Sequence, residues 1–62
     1  MDKPKCKLIG QDGNIFNLMS IASRTLKSAG LKEQAEEMIE RISNSGNYHE
    51  ALGIIMEYME VE

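Results

Sequence analysis

Four kinds of side chain in this 62-residue chain could do chemistry: one histidine, one cysteine, an aspartate set between glycines, and a series of glutamates. A zinc site needs three or four ligands converging on one point. His49 has Glu50 and Glu57 nearby in sequence, but neither stands at the i+4 spacing that shares a helical face, so the ligand count falls short. Nucleophilic catalysis needs a hydroxyl or thiol beside a base, and no serine is telling in its spacing from the histidine. Cys6 is the one cysteine, which excludes an internal disulfide and a cysteine-based zinc site; it reads as a small hydrophobe. On these grounds no enzyme activity, no metal and no cofactor is expected.

The aspartate belongs to Gly10-Gln11-Asp12-Gly13-Asn14, where a strand-like lead turns into a helix. Asp-Gly favours a tight turn, with Gly13 expected at positive φ and the Asp12 carboxylate accepting from a backbone N–H two residues on. Asn14 stands where a helix N-cap is wanted. The loop could present backbone donors and Asp12 to a ligand as phosphate loops do. It lacks their Lys-Ser/Thr and their three-glycine spacing. Asp12, Gly13 and Asn14 are therefore candidate contact residues, not catalytic ones.

The elements that would position these residues follow from the hydrophobic pattern. Residues 1–4 read as a frayed, proline-containing lead-in. Residues 5–16 form a β element and turn: Cys6 and Leu8 share one face of a strand over 5–9, Lys5 and Lys7 the other. A lone strand needs a partner, either residues 14–16 folded back across the turn or the same strand of a second chain. A first helix is expected over 15–29, its stripe being Ile15, Leu18, Met19, Ala22, Leu26 and Ala29. Gly30 should end it in the left-handed conformation with Leu31 packing back, and Arg24 and Lys27 lie at the favourable end of its dipole. A second helix over 32–44 has the narrow stripe Ala35, Met38, Ile39 and Ile42, and a Glu37–Arg41 pair at i,i+4. A third over 48–59 starts with Asn47 and Glu50 as a capping box and should bury Tyr48, Ala51, Leu52, Ile55 and Met59. Gly53 falls on its polar side, where it costs about 1 kcal/mol relative to Ala. Phe16, Ile21, Ile54 and Met56 fall outside the stripes.

The fold class is therefore mainly α, a small α+β domain spanning 1–62 in which a short N-terminal β element precedes three helices. With 42% hydrophobic and 27% charged residues the composition is that of a folded domain, not of a disordered tail. No apolar run is long enough for a membrane span and no secretory leader is present, so a cytoplasmic protein without a membrane partner is expected. The net charge of −3 hides a division: residues 1–32 hold six basic against two acidic side chains, residues 33–62 one basic against eight acidic. The halves should attract one another within or between chains.

Gly46-Asn47-Tyr48-His49-Glu50-Ala51-Leu52 looks like the junction inside a tetratricopeptide repeat, which implies a helical hairpin over that one segment and no repeat array. Taken together, Leu8-Ile9-Gly10-Gln11-Asp12-Gly13-Asn14-Ile15-Phe16, Ala29-Gly30 and Ser45-Gly46-Asn47-Tyr48 with Leu52 resemble a family of short uncharacterised proteins of bacteriophages and integrative mobile elements. That resemblance implies a mobile-element context and no particular activity.

Ala29-Gly30-Leu31 between two helices is also similar to a helix-turn-helix. The second helix carries Glu33, Glu36, Glu37 and Glu40, which repel phosphate where cations should release counterions, so nucleic acid is not the expected partner. The expected function is a small adaptor or regulator acting by protein contact, with an unidentified protein partner. The alternative is a nucleic-acid-associated protein using the basic N-terminal half, or an acidic nucleic-acid mimic. Only about 60% of the unfolded surface can be buried at this length, so a homodimer is expected. Ile21, Ile54 and Met56 join the candidate contact residues, and the favoured interface sets the acidic second helix against the basic half of another copy, since edge pairing would bring Lys5 and Lys7 onto their own copies.

Overall fold

A computed structural model describes residues 3–62. The element order is β1 (Lys5–Cys6), α1 (Ile15–Ser28), α2 (Lys32–Ser43), α3 (Tyr48–Tyr58) and β2 (Glu60–Val61), a mainly α fold with a two-stranded sheet. Each helix stops one residue short of its expected end because Ala29, Asn44 and Met59 serve as C-caps.

The turn before α1 is a chain of local bonds. Gln11 N–H donates to Leu8 O at 3.1 Å, and Gly10 between them has φ +90°, the value the third residue of a type II turn requires. Gly13 was expected to take that role and does not; positive φ occurs at Gly10 and at Gly30. Asp12 bonds forward as expected, its Oδ1 accepting from Asn14 N–H at 3.0 Å, while the turn itself closes earlier, between Leu8 and Gln11. Asn14 Oδ1 then accepts from Phe16 N–H at 2.9 Å and caps the helix. At the other end of α1, Gly30 N–H reaches Lys27 O at 3.0 Å and Leu31 N–H reaches Leu26 O at 2.9 Å, with Gly30 at φ +79°. These are the two bonds of a Schellman termination, as the Ala-Gly-Leu sequence leads one to expect.

The strand finds neither of its expected partners. β1 pairs in parallel with β2, Lys5 opposite Glu60 and Cys6 opposite Val61. Glu60 N–H donates to Pro4 O and Glu62 N–H to Cys6 O, both at 2.9 Å, while Leu8 and Ile9 N–H converge on Glu62 O at 2.7 and 3.0 Å. Residues 14–16 cannot fold back as a strand, because Phe16 N–H is held by the cap and Asn14 O accepts from Leu18 N–H at 3.0 Å. Parallel pairing needs a long crossover, and the three helices supply it. Of the lead-in expected to fray, residues 1 and 2 lie outside the described residues. Lys3 and Pro4 are held, Lys3 Nζ donating to Met56 O at 2.9 Å.

All elements but β2 place buried residues in one core: Cys6 of β1 and Leu8 just after it; Leu18, Ala22 and Leu26; Ala35, Met38 and Ile42; Ala51, Ile54 and Ile55; then Met59. Each helix contributes one buried alanine, which lets the helices approach closely. Two assignments change on α3. Ile54 is only 7% exposed and belongs to the core, whereas Tyr48 is 48% exposed. The helix is rotated from the expected stripe because it packs against both α1 and α2, and the chain leaves it at Met59 to reach β1. Ala29, as a cap, is exposed, and Ser23 is buried in its stead on α1. No helix among the described residues is long and apolar enough to cross a membrane.

Candidate functional site

An uncharged groove of about 390 Å³ lies where the start of α1, the end of α2 and the start of α3 meet. Ile15 and Met19 of α1, Ile42 of α2 and Ala51 of α3 supply its apolar surface, the α2–α3 loop contributes Ser45, Gly46 and Asn47, and Phe16 and Tyr48 stand on its walls. None of its ten lining residues carries a charge, in a chain of which 27% is charged. Local structure explains the aromatics. The Asn14 cap sets the phase of α1 so that Ile15, Leu18, Met19 and Ala22 turn toward the core, which leaves Phe16 outside at 73% exposure. Tyr48 is the first residue of α3, directly after the Asn47 cap whose Oδ1 accepts from Glu50 N–H at 2.8 Å. An aromatic ring left in water forgoes about 1.5–3 kcal/mol of burial.

The glycine-flanked loop borders the same place. A Cβ on Gly13 would lie 3.6 Å from Tyr48 Oη, so the loop runs alongside that ring. Asp12 and Asn14 are exposed, yet their side-chain oxygens are engaged with Asn14 N–H and Phe16 N–H, and Asn17 Nδ2 bonds Asp12 O at 2.9 Å. These residues shape the loop from within. The other candidates lie elsewhere. Ile21 is half-buried against the core and borders a shallow depression with Arg24, Thr25 and Ser28. Met56 is 55% exposed on α3, and Ile54, being core, is withdrawn as a contact residue. Sequence reasoning left Phe16 outside the stripe without making it a site and took Tyr48 for core. The signal that could have separated Tyr48 was its place in the first turn, where an amphipathic ring can stay at the surface.

A second groove, of about 670 Å³, separates the outer faces of α2 and α3 and is lined by Glu37, Glu40, Glu50 and Glu57 with Arg41, Asn44, Gly53 and Ile54. Arg41 does not pair with Glu37 as its spacing suggested. Its guanidinium reaches across to α3, Nη1 to Glu57 Oε1 at 3.0 Å and Nη2 to Glu57 Oε2 at 2.9 Å, with Nη1 also donating to Tyr58 Oη at 3.3 Å. The fork of two parallel bonds gives a geometry that a single i,i+4 contact lacks. Glu37 instead accepts from Tyr58 Oη, and the guanidinium lies 5.6 Å from the Tyr58 ring centre. The hydrogen bond from Arg41 holds the Glu57 carboxyl below the usual carboxylate range. Bonding to Glu57 and then Tyr58 raises the Arg41 guanidinium further. Burial, then the bond to Glu37, raises the Tyr58 phenol.

Among the described residues no group of three or more His, Cys, Asp or Glu side chains is placed to hold a metal; His49 is exposed in the first turn of α3. What the fold and its surface define is a three-helix α+β domain whose terminal strands pair in parallel and whose uncharged groove carries two aromatic residues. Comparison with family models, curated proteins and solved structures finds no match.

Proposed function

We propose that this protein is a small, non-catalytic adaptor or regulator that works by protein contact, with the groove between Phe16 and Tyr48 as its contact face. The observation that carries this reading is the pairing of two exposed aromatics with an uncharged apolar concavity. Aromatic anchors beside a desolvated pocket supply most of the energy of a typical protein interface. A working form of two copies, inside the cell, belongs to the same reading, because a 62-residue core gains much from covering such a face. A phage or mobile-element setting, drawn from the resemblance carried by Gly10-Gln11-Asp12-Gly13-Asn14, also suits a small regulator. The test is capture from a cell extract with wild type, Phe16→Ser and Tyr48→Ser, each first checked for helical content. Proteins retained by wild type and lost with both variants are the expected outcome, and an identical set on all three would end the proposal.

One observation favours a second reading. The groove between α2 and α3 gathers four glutamates around one arginine, a surface suited to occupying another protein's basic nucleic-acid channel. On that reading Glu40→Lys with Glu50→Lys, and not Phe16→Ser, abolishes capture.

A further inference from the structure

We infer that the occupant of the uncharged groove is a second copy of this chain, related by a two-fold axis that seats Phe16 of each copy in the groove of the other. This rests on the reading of the groove as a contact face and adds what fills it. A two-fold interface is self-complementary: one patch must carry both the projection and the recess that receives it. Here they are neighbours, Phe16 standing at 73% exposure on the wall of a recess formed by Ile15, Met19, Ile42, Tyr48 and Ala51. The dimensions agree. An apolar cavity of about 150 Å³ holds a benzene ring, and the recess offers about 390 Å³, room for the incoming phenyl ring with Tyr48 closing over it.

Electrostatics selects this face over the others. A two-fold axis sets a patch against its own copy, so a charged patch meets like charge. The groove between α2 and α3 would bring four glutamates toward four, the depression on α1 contains Arg24, and β1 with the residue after it exposes Lys5 and Lys7. The Phe16 face has no charged lining residue and can meet itself without that penalty. This differs from the sequence-based expectation that α2 meets the basic half of a second copy.

The test uses the full chain in sedimentation equilibrium, with Met56→Glu as an exposed control away from the groove. A reversible dimer is expected, with Phe16→Ser raising its dissociation constant at least about thirtyfold, the loss a buried aromatic anchor brings, and Met56→Glu leaving it unchanged. Because Phe16→Ser could disturb α1, a benzoylphenylalanine photo-crosslinker at position 16 of the otherwise unchanged chain gives an independent readout: the crosslink should join position 16 to the peptide bearing Tyr48 or Ala51 of the other copy. A wild-type monomer at about 100 μM, or a dimer that Met56→Glu weakens and Phe16→Ser does not, overturns the inference. If wild type is monomeric yet Phe16→Ser still loses a captured protein, the occupant is wrong and the contact face stands. If neither self-association nor capture depends on Phe16, both fall.

Discussion

At Gly10 the backbone sits at φ +90° with open space around the missing Cβ, so a side chain there would suffer from its own backbone conformation and not from a neighbour. A left-handed residue with a Cβ costs about 1–2 kcal/mol, more when β-branched. Gly13 has ordinary φ, and a methyl there would only touch Tyr48 Oη at van der Waals distance. Urea titration should therefore show Gly10→Val lowering stability by about 2 kcal/mol, Gly13→Ala staying within about 0.5 kcal/mol of wild type, and Gly53→Ala raising stability by up to about 1 kcal/mol, since α3 offers that methyl an empty surrounding. Equal losses at Gly10 and Gly13 would show that the turn has been placed wrongly. That a glycine in this loop must adopt positive φ could be read from composition, and so could the forward bond from Asn14 N–H to Asp12; which glycine turns depended on where the chain closes, and the bond from Gln11 N–H to Leu8 O puts Gly10 there.

Between α2 and α3 the polar link is Arg41 to Glu57 with Tyr58 and Glu37 around it. Both charged partners are largely exposed, so the pair is a modest, salt-sensitive contributor. Its pH dependence has two limbs. The Glu57 carboxyl is lowered in the folded state, so its contribution is present above the unfolded carboxylate value, near about 4.3, and disappears as pH falls through the lower folded value. The Tyr58 phenol is raised, so its contribution is complete below about 10 and is lost as pH climbs through the higher folded value. Urea midpoints followed across pH should fall at both extremes, with Glu57→Gln flattening the acid limb alone and Tyr58→Phe the alkaline limb alone. A Glu57→Gln profile parallel to wild type would show that the Arg41 bond does not shift the carboxyl. The i,i+4 spacing pointed Arg41 at Glu37, a contact worth only a few tenths of a kcal/mol. The fork offered by Glu57 across the helix pair is the better geometry, and only packing could bring it within reach.

On the scale of the whole molecule, β2 ties the end of the chain to its beginning. Four backbone hydrogen bonds depend on Glu60 and Glu62, each worth about 1 kcal/mol net, in a domain with little stability to spare. Removal of residues 60–62 should lower the melting temperature by at least about 10 °C, at roughly 4–8 °C per kcal/mol for a domain of this size, followed by circular dichroism at 222 nm. A truncated chain that melts within about 3 °C of the parent would mean that the strand pair is ornamental and that the helices stand alone.

The sequence by itself determined the features that depend on neighbours a few residues apart: three helices, the Asn14 and Asn47 caps, the Gly30 termination, and the inward faces of α1 and α2. These follow from the 3.6-residue period and from hydrogen bonds that close within one turn. Part of the candidate site was visible in the same way, since the Asp12–Asn14 loop was legible as a turn feeding a helix. Tertiary structure decided the rest: the pairing of β1 with β2, the inward rotation of Ile54, the exposure of Tyr48, and the meeting of Tyr48 with Phe16 across one groove. Each joins residues more than thirty apart or depends on which side of α3 faces its neighbours. No local propensity encodes that choice, because on α3 two overlapping apolar stripes satisfy the helical period equally, and the packing of α1, α2 and Met59 selects between them.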